Sequence, residues 1–299
     1  MIDLVALQSL MGVAERGTVG GAAESLGYTP SAVSQQIKRL ERSLGLDLLE
    51  RVGRGVVLTE PARLLVAEGH RLLGELEAVE SRLDSSAGKL HGTIRMAAHA
   101  TAIRGIVAPA LAALGESAPD LDVSLVERDP SAAVDLLVSG QVDVAVVHNW
   151  VGVPLHVPAG LDERTIGEDV ADVLINRSNP LSRRKSLTAK ELLDQRWAIT
   201  PVGTICHAWF VQMFAGFSRT PTVRYWTPEF ATHVALVEAG LAIALVPRLG
   251  RDELPKGVVA VPVHDPVPTR QVLVLRRATM ASSPALQHIT DALAAQAAR

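Results

Sequence analysis

Ser31, Ser34, Gln35 and Lys38 recur at three- and four-residue steps within the stretch TPSAVSQQIKRLE, residues 29–41. On a helix that spacing gathers them on one face. Two hydroxyls, an amide and an ammonium supply hydrogen-bonding groups, with no nucleophile and attendant base among them. Five of the six basic side chains in the first sixty residues fall between positions 38 and 54: Lys38, Arg39, Arg42, Arg51 and Arg54. Clustered bases can meet phosphates even though seven acids share the segment and the whole chain carries a formal charge of −3. A merely solvated helix face accounts for this stretch equally well when it is taken alone.

Other candidate chemistries are weaker. Cys206 and His207 are chain neighbours, whose side chains diverge on most backbones, so they make no nucleophile–base pair by themselves. The nine histidines include no His-x-x-x-His pair, and no Gly-x-Gly-x-x-Gly or phosphate-loop sequence occurs. No metal, cofactor or catalytic residue is expected. Trp150, Trp209 and Trp226 read chiefly as core anchors, and His148, His156 and His233 as cleft or surface residues.

The 299 residues suggest roughly two domains, and 48% apolar residues suffice for real cores built from aliphatic side chains. The single cysteine excludes an internal disulfide and fits a reducing compartment. The N-terminus lacks the basic start of a signal peptide. The most apolar window, Val142 to Leu161, holds Asp143, His148, His156 and two prolines, so it reads as strand and loop and not as a membrane span. A soluble cytoplasmic protein is the expectation.

The elements that must position the polar residues follow from periodicity. Leu4, Leu7, Leu10, Met11 and Ala14 recur at helical spacing and Gly17 stops that run. Thr18 can cap a second helix containing Ala22, Ala23 and Leu26. Thr29 can cap a third, with Pro30 at its first position and Val33, Ile37, Leu40 and Leu44 as its apolar stripe. Two such helices joined by a tight turn are a helix-turn-helix pattern. LLERVGRGVVLT, with Gly53 and Gly55 around Arg54, suggests a two-stranded wing carrying Arg51 and Arg54. From Thr59 to about Ala87 one long helix carries Leu65, Leu72, Leu76, Val79 and Leu83 at heptad-like steps, as a dimerisation seam would. SSAGKLHG is a linker by composition. After Gly92 strand-like and helical segments alternate, which predicts an α/β domain with largely parallel sheets, enough chain for two lobes, and ligands at strand C-terminal ends.

The chain resembles the LysR-type transcriptional regulators, closely over residues 1–62 and more loosely to its end. The resemblance rests on Leu7, Val13, Ala14, Glu15, Gly17, Ala22, Ala23 and Leu26, then TPSAVSQQIKRLE, Leu44, Gly45, Leu48, Arg51, Arg54, Leu58 and Thr59. LLVSGQVDVAVV (137–147, with Leu136 before it) and VEAGLAIALVP (237–247) add to it in combination. Thr18-Val19 stands where the family has Ser-Phe, Leu49 where a wing Phe is usual, and Pro61-Ala62 where Ala-Gly is common.

The resemblance implies a winged helix-turn-helix DNA-binding domain over 1–59 and a linker or dimerisation helix over 60–88. An effector-binding domain of periplasmic-binding-protein-like fold would span 92–299, with lobe I at about 92–165 and 267–299 and lobe II at about 166–266. The third helix would enter the major groove of double-stranded DNA, with Pro30, Ser31, Ser34 and Gln35 nearest base edges and Thr29 at its cap. Thr18, Lys38, Arg51 and Arg54 would hold phosphates, and Arg39 would join them or pair within the protein. The expected partners are a pseudo-palindromic operator, a second copy through the long helix with assembly to a homotetramer, and a small-molecule effector of unspecified identity. Its site is expected at Ala100 and Thr101, opposite Thr200, Val202, Gly203, Thr204 and Phe230, with Arg128, Asp129 and His148 lining the same cleft. Arg128 with Asp129 would suit a zwitterion such as an amino acid, or would form a surface ion pair. The rival readings are a solute-binding or metabolic protein whose first sixty residues serve protein contacts, and an enzyme working in the α/β cleft.

Overall fold

The computed structural model describes residues 2–52, 55–87 and 90–299. Arg54, expected to contact phosphate, lies outside them, as do Gly53 of the wing and Gly88 and Lys89 of the linker. Two compact units divide the chain, Met1–Glu80 and Ser81–Arg299.

In the first unit, α1 (Leu4–Arg16), α2 (Val19–Leu26) and α3 (Pro30–Leu44) each begin at a side-chain cap and end at a left-handed glycine. Asp3, Thr18 and Thr29 accept the first-turn N–H groups, and Gly17, Gly27 and Gly45 close the helices at φ 69°, 69° and 67°. Their apolar stripes meet in one core of Leu10, Val13, Ala22, Val33, Ile37, Leu40 and Leu48. Antiparallel β1 (Leu49–Val52) and β2 (Gly55–Leu58) follow. Glu41 anchors this hairpin to α3, its Oε1 accepting Leu48 N–H at 2.9 Å and Leu49 N–H at 3.3 Å. Thr59 caps α4 (Glu60–Ala87) by accepting Ala62 N–H. Gly69 permits a close approach of α4 to α1, since a Cβ there would lie 3.0 Å from Leu7 and Met11.

The second unit is built on a mixed sheet of order β4-β3-β5-β12-β6-β11-β7, with β10 also paired to β6. It runs through β3 (Gly92–Ala98), a helical stretch from Ala100 to Ser117, β4 (Leu121–Glu127), α7 (Pro130–Val138) and β5 (Val144–Trp150). The helical stretch comprises α5 (Ala100–Ala102), a π-helical turn (Ile103–Val107) and α6 (Ala108–Ser117). Next come β6 (Leu161–Asn176), β7 (Leu187–Thr188), α8 (Ala189–Leu192), β8 (Arg196–Ile199), α9 (Ile205–Phe214), β9 (Thr222–Trp226) and α10 (Phe230–Glu238). β10 (Ala244–Pro247), β11 (Val258–Asp265), β12 (Thr269–Arg277) and α11 (Pro284–Ala297) complete it. No described helix is long and apolar enough to cross a membrane.

β6 makes two lobes out of this sheet. Its first ten residues pair with β12, and from Ala171 onward it pairs with β10 and β11. The strand order is parallel across β4-β3-β5 and in the separate β8-β9 pair, and antiparallel wherever β6 and β12 are involved. The sheets are therefore less uniformly parallel than the alternation of elements predicts, because β6 runs from one lobe into the other and pairs antiparallel with β12, β10 and β11. Each lobe buries apolar residues on both sheet faces: Ile94, Val144, Val274 and Leu286 on one side of the first and Ala133, Leu137 and Leu273 on the other. Trp150, Val173, Trp197 and Phe214 form one core of the second, and Leu174, Val237 and Val246 the other.

Buried polar links accompany these cores. Asp143 receives Arg95 and Arg277 at 2.7 and 3.1 Å, tying β3 to β12 beneath α7. At the junction of the lobes the backbone after β10 presses on the π-helical turn: a Cβ on Gly250 would collide with the Thr101 carbonyl oxygen, and one on Gly105 would lie 2.9 Å from Gly250 N. Gly250 also has φ 60°, a region side chains rarely occupy.

Gly250→Ala should therefore lower the stability of the second unit by about 1–3 kcal/mol, whereas Gly115→Ala, exposed in α6 with open space at its Cβ, should raise it by about 0.5–1 kcal/mol. All four tryptophans, Trp150, Trp197, Trp209 and Trp226, belong to this unit. Denaturant titrations followed by tryptophan fluorescence measure it selectively, and equal effects of the two substitutions would contradict the close approach.

Candidate functional site

In the first unit, burial of Val33, Ile37 and Leu40 at 0–2% exposure fixes the rotation of α3. Pro30, Ser31, Gln35, Lys38 and Arg39 consequently stand exposed and Ser34 half-buried, on faces away from the core. Thr29 and Thr18 each use a lone pair to cap Ala32 and Gly21 N–H, leaving each hydroxyl hydrogen free to donate. Arg39 lies 3.6 Å from Asp3, a loose exposed ion pair that contributes little. Arg42 turns back onto its own helix, Nε donating to the Lys38 carbonyl at 3.2 Å. Arg51 is exposed on β1. On α4, Leu65 packs into the domain core and Leu72 is half-buried, while Leu76, Val79 and Leu83 are 43–63% exposed. The seam therefore splits, its first member serving the folded unit and its later members standing open.

In the second unit a cavity of about 250 Å³ opens between the lobes. Ala100, Thr101, Arg128, Asp129, His148, Thr200, Thr204 and Phe230 line it, joined by His99, Glu127, Pro130, Cys206, Pro228 and Arg270. Val202 and Gly203 do not: Val202 is 75% exposed, and Gly203, at φ 93°, turns the chain toward Thr204, the cap of α9. The turn at Gly203 thus leaves both residues outside the lining of the cavity. Trp226 is likewise no core anchor, standing 53% exposed on β9.

The residue that sequence reasoning missed is Arg270. It is 1% exposed, and its guanidinium meets Asp169 through Nε at 2.9 Å and Nη2 at 2.7 Å. Nη2 also donates to Thr101 Oγ1 at 2.6 Å, and the group stands 5.7 Å from the centroid of the Trp150 ring. Its Nη1 has no protein acceptor. Asp169 completes the link by accepting Leu249 N–H at 2.9 Å, next to the Gly250–Gly105 contact, where Arg104 Nε donates to the Gly250 carbonyl at 2.8 Å. A charged residue at the mouth of the apolar run VLVL in TRQVLVLRR was the available signal, since a strand covered on both faces leaves such a residue buried.

Two imidazoles edge the same space, His99 and His148, with ring centroids 4.6 Å apart. Burial, reinforced by the charge of Arg270, lowers His99 to about 3 and puts His148 well below its usual range. His99 Nδ1 contacts the Val146 carbonyl at 3.1 Å, so the neutral ring carries its proton there and Nε2 is left as an acceptor. His148 Nε2, and not His207, is the nitrogen near Cys206 Sγ, at 3.9 Å. Burial pushes the Cys206 thiol up, the reverse of what an attacking thiolate requires. Asp129 caps α7 through Ser131 N–H, and Arg128 Nη1 donates to the Glu127 carbonyl at 2.7 Å, so no Arg128–Asp129 ion pair forms. A smaller apolar extension of about 20 Å³ adjoins the cavity, sharing Thr200, Cys206 and Phe230 with it and walled by Ile199 and Leu245. Among the described residues no group of His, Cys, Asp or Glu is arranged to hold a metal ion.

The buried histidines carry a pH signature. Unfolded, His99, His148 and His233 take up protons near pH 6.5; folded, burial holds all three lower, so stability present at neutral pH drains away as pH falls from 6.5 toward 3. Each adds a limiting slope of about 1.4 kcal/mol per pH unit. Fluorescence-monitored Tm should fall between pH 6.5 and 5, and His99→Gln should flatten the fall; an unchanged slope would refute this origin.

Residues 87–298 match the family model described as LysR substrate binding domain, and residues 4–63 match the bacterial regulatory helix-turn-helix protein, lysR family. The small neutral protease regulatory protein of Streptomyces coelicolor is 30% identical over 302 aligned positions, covering 98% of this chain and 92% of the relative. The transcriptional regulator TtuA of Agrobacterium vitis is 25% identical over 264, covering 88% and 86%. A full-length OxyR variant from Pseudomonas aeruginosa has the same fold at a TM-score of 0.74, with 21% identity over 98% of this chain and 95% of that one. Full-length CbnR in complex with its target DNA superposes at 0.59, with 20% identity over 99% and 100%. With both domain models matched in order along its length, the chain belongs to the LysR family of DNA-binding transcriptional regulators with an effector-binding domain.

Proposed function

We propose that α3 reads DNA from the major groove, with Pro30, Ser31, Ser34 and Gln35 nearest the base edges. The observation that carries this is the division of α3 itself: its apolar stripe is sealed in the core, and Ser31, Gln35 and Lys38 are exposed at helical spacing on the opposite side. Gln35 can bond adenine N6 and N7 together. Thr18, Thr29, Lys38 and Arg51, with Arg54 from the sequence, would hold phosphates and set register; Arg39 joins them only by leaving Asp3. One module offers few cations, so tight binding needs two, and the open apolar stripe of Leu76, Val79 and Leu83 is suited to pairing two α4 helices.

The interlobe cavity would receive the effector. Thr101, Arg270, Asp169 and the Leu249 backbone form a continuous hydrogen-bonded chain from its floor to the junction of the lobes. A ligand bound there more tightly in one lobe arrangement than another would shift the population of DNA-binding states. The same site favours binding over catalysis, since neutral His148 and a raised Cys206 thiol offer no activated nucleophile. Cytoplasmic action accords with a DNA target and a free thiol.

Fluorescence anisotropy on DNA flanking the gene, against a scrambled duplex, tests the assignment. Gln35→Ala should erase about 1–3 kcal/mol of discrimination while leaving scrambled DNA unaffected. Lys38→Ala or Arg51→Ala should weaken both duplexes alike and flatten the log–log salt slope by about 0.9 for each phosphate no longer neutralised. Equal wild-type affinity for both duplexes would overturn the reading of α3.

A further inference from the structure

The floor of the interlobe cavity has an incomplete set of hydrogen-bond partners, and the missing one is an acceptor. Arg270 is enclosed at 1% exposure, and its Nη1 has no acceptor in the protein. Asp169 engages Nε and Nη2 together with Leu249 N–H, so its oxygens are committed. Beside Arg270 begins the helical run of residues 100–117, whose N-cap, His99, supplies no side-chain acceptor to the first turn. His99 is turned the other way, donating to the Val146 carbonyl. Orphan N–H groups at a helix start and an unmatched guanidinium N–H therefore converge on one wall.

The opposite wall is of another character. Phe230, Ile199 and Leu245 help to wall the apolar extension of about 20 Å³, room for about one or two carbon atoms. The acids of the site, Glu127 and Asp129, lie at the exposed rim, where water screens them, and Asp129 is already occupied as the cap of α7.

Resting on the reading of the cavity as the effector site, we propose that its ligand is a small carboxylate with a short apolar tail. The carboxylate meets Arg270 Nη1 and the helix start at Ala100–Thr101, and the tail enters the Phe230–Ile199–Leu245 extension. With Nε and Nη2 already engaged, a carboxylate can accept from Nη1 with one oxygen and from the helix start with the other, so its two oxygens match the two sets of donors. His99 Nε2, an acceptor, would favour a donor at the carbon next to the carboxylate. Arg270, and not Arg128, is thus the cationic pole of the site.

Calorimetry on the full-length protein with defined probes tests this. Acetate, butyrate and hexanoate vary the tail; 2-hydroxybutyrate and L-2-aminobutyrate add a donor; butyramide removes the charge; sulfate supplies a tailless anion. The four-carbon acids should bind best, with butyramide at least about tenfold weaker, the scale of losing a charged hydrogen bond. The hydroxy and amino arms then separate a hydroxy acid from an amino acid as the physiological type. Arg270→Lys keeps a cation beside Asp169 yet should cost the acids about tenfold or more. Should that variant fold poorly, Leu245→Phe fills the extension and should reduce butyrate to the affinity of acetate. Butyramide equal to butyrate, binding of sulfate alone, or no binding of any acid would overturn the proposal. A metabolite extract that alters DNA binding of the wild type but not of Ala100→Trp, with no acid bound, would reject the carboxylate and retain the effector site. No response in any arm would reject both.

Discussion

The Arg270–Asp169 pair is enclosed to 1% and 5% side-chain exposure, and three segments of the chain converge on it. Asp169 lies on β6 just before that strand changes partners from β12 to β10, Arg270 opens β12, and Leu249 follows β10. Two charges removed from water must be matched closely or the pair destabilises the fold, and loss of one partner from such a pair costs about 3–5 kcal/mol. The constraint therefore sets the crossing of the lobes and, through Thr101, the start of the helical run that walls the cavity. The guanidinium that ties the lobes together also lines the cavity between them.

The junction beside it is closely packed. Gly250 and Gly105 bring two backbones into contact, Arg104 ties them with a hydrogen bond, and the helix there widens into a π turn. Such turns are sites where a helix accommodates an intruding element without ending. A well-packed contact of this kind has few intermediate positions, which suits a regulator that must hold discrete arrangements.

The DNA-binding unit is organised differently. Its core is small and aliphatic, α1, α2 and α3 are capped at both ends, and Glu41 commits a carboxylate oxygen to the hairpin. Lys38 and Arg51 are thereby left exposed for other partners. Local rules specify nearly all of this, because capping residues, glycine stops and a 3.6-residue apolar period act within a few positions of one another.

That locality explains which features could be read from the chain alone. Thr18, Thr29, Pro30 and Gly45 announced helix ends, and Val33, Ile37 and Leu40 announced which face of α3 is buried. The alternation after Gly92 announced two-lobed α/β architecture, and Thr101, Thr200 and Phe230 could be assigned to a cleft at strand ends. The antiparallel crossing by β6 was not legible, since its sixteen residues mix ERTIGED with an apolar half and show no single period. Val202 and Gly203 fall outside the cleft despite their adjacency to Thr204, because adjacency along a chain carries no direction. Burial of Arg270 had a signal in its position beside VLVL, but its partner did not: it meets Thr101 across 169 positions, and only the pairing of β12 with β5 and β6 brings them together. Sequence determined the elements and the polar face of α3, because those depend on neighbours along the chain. Tertiary structure decided the floor of the cavity and the unmatched Nη1 of Arg270, because desolvation and partner choice exist only once distant strands have closed around them.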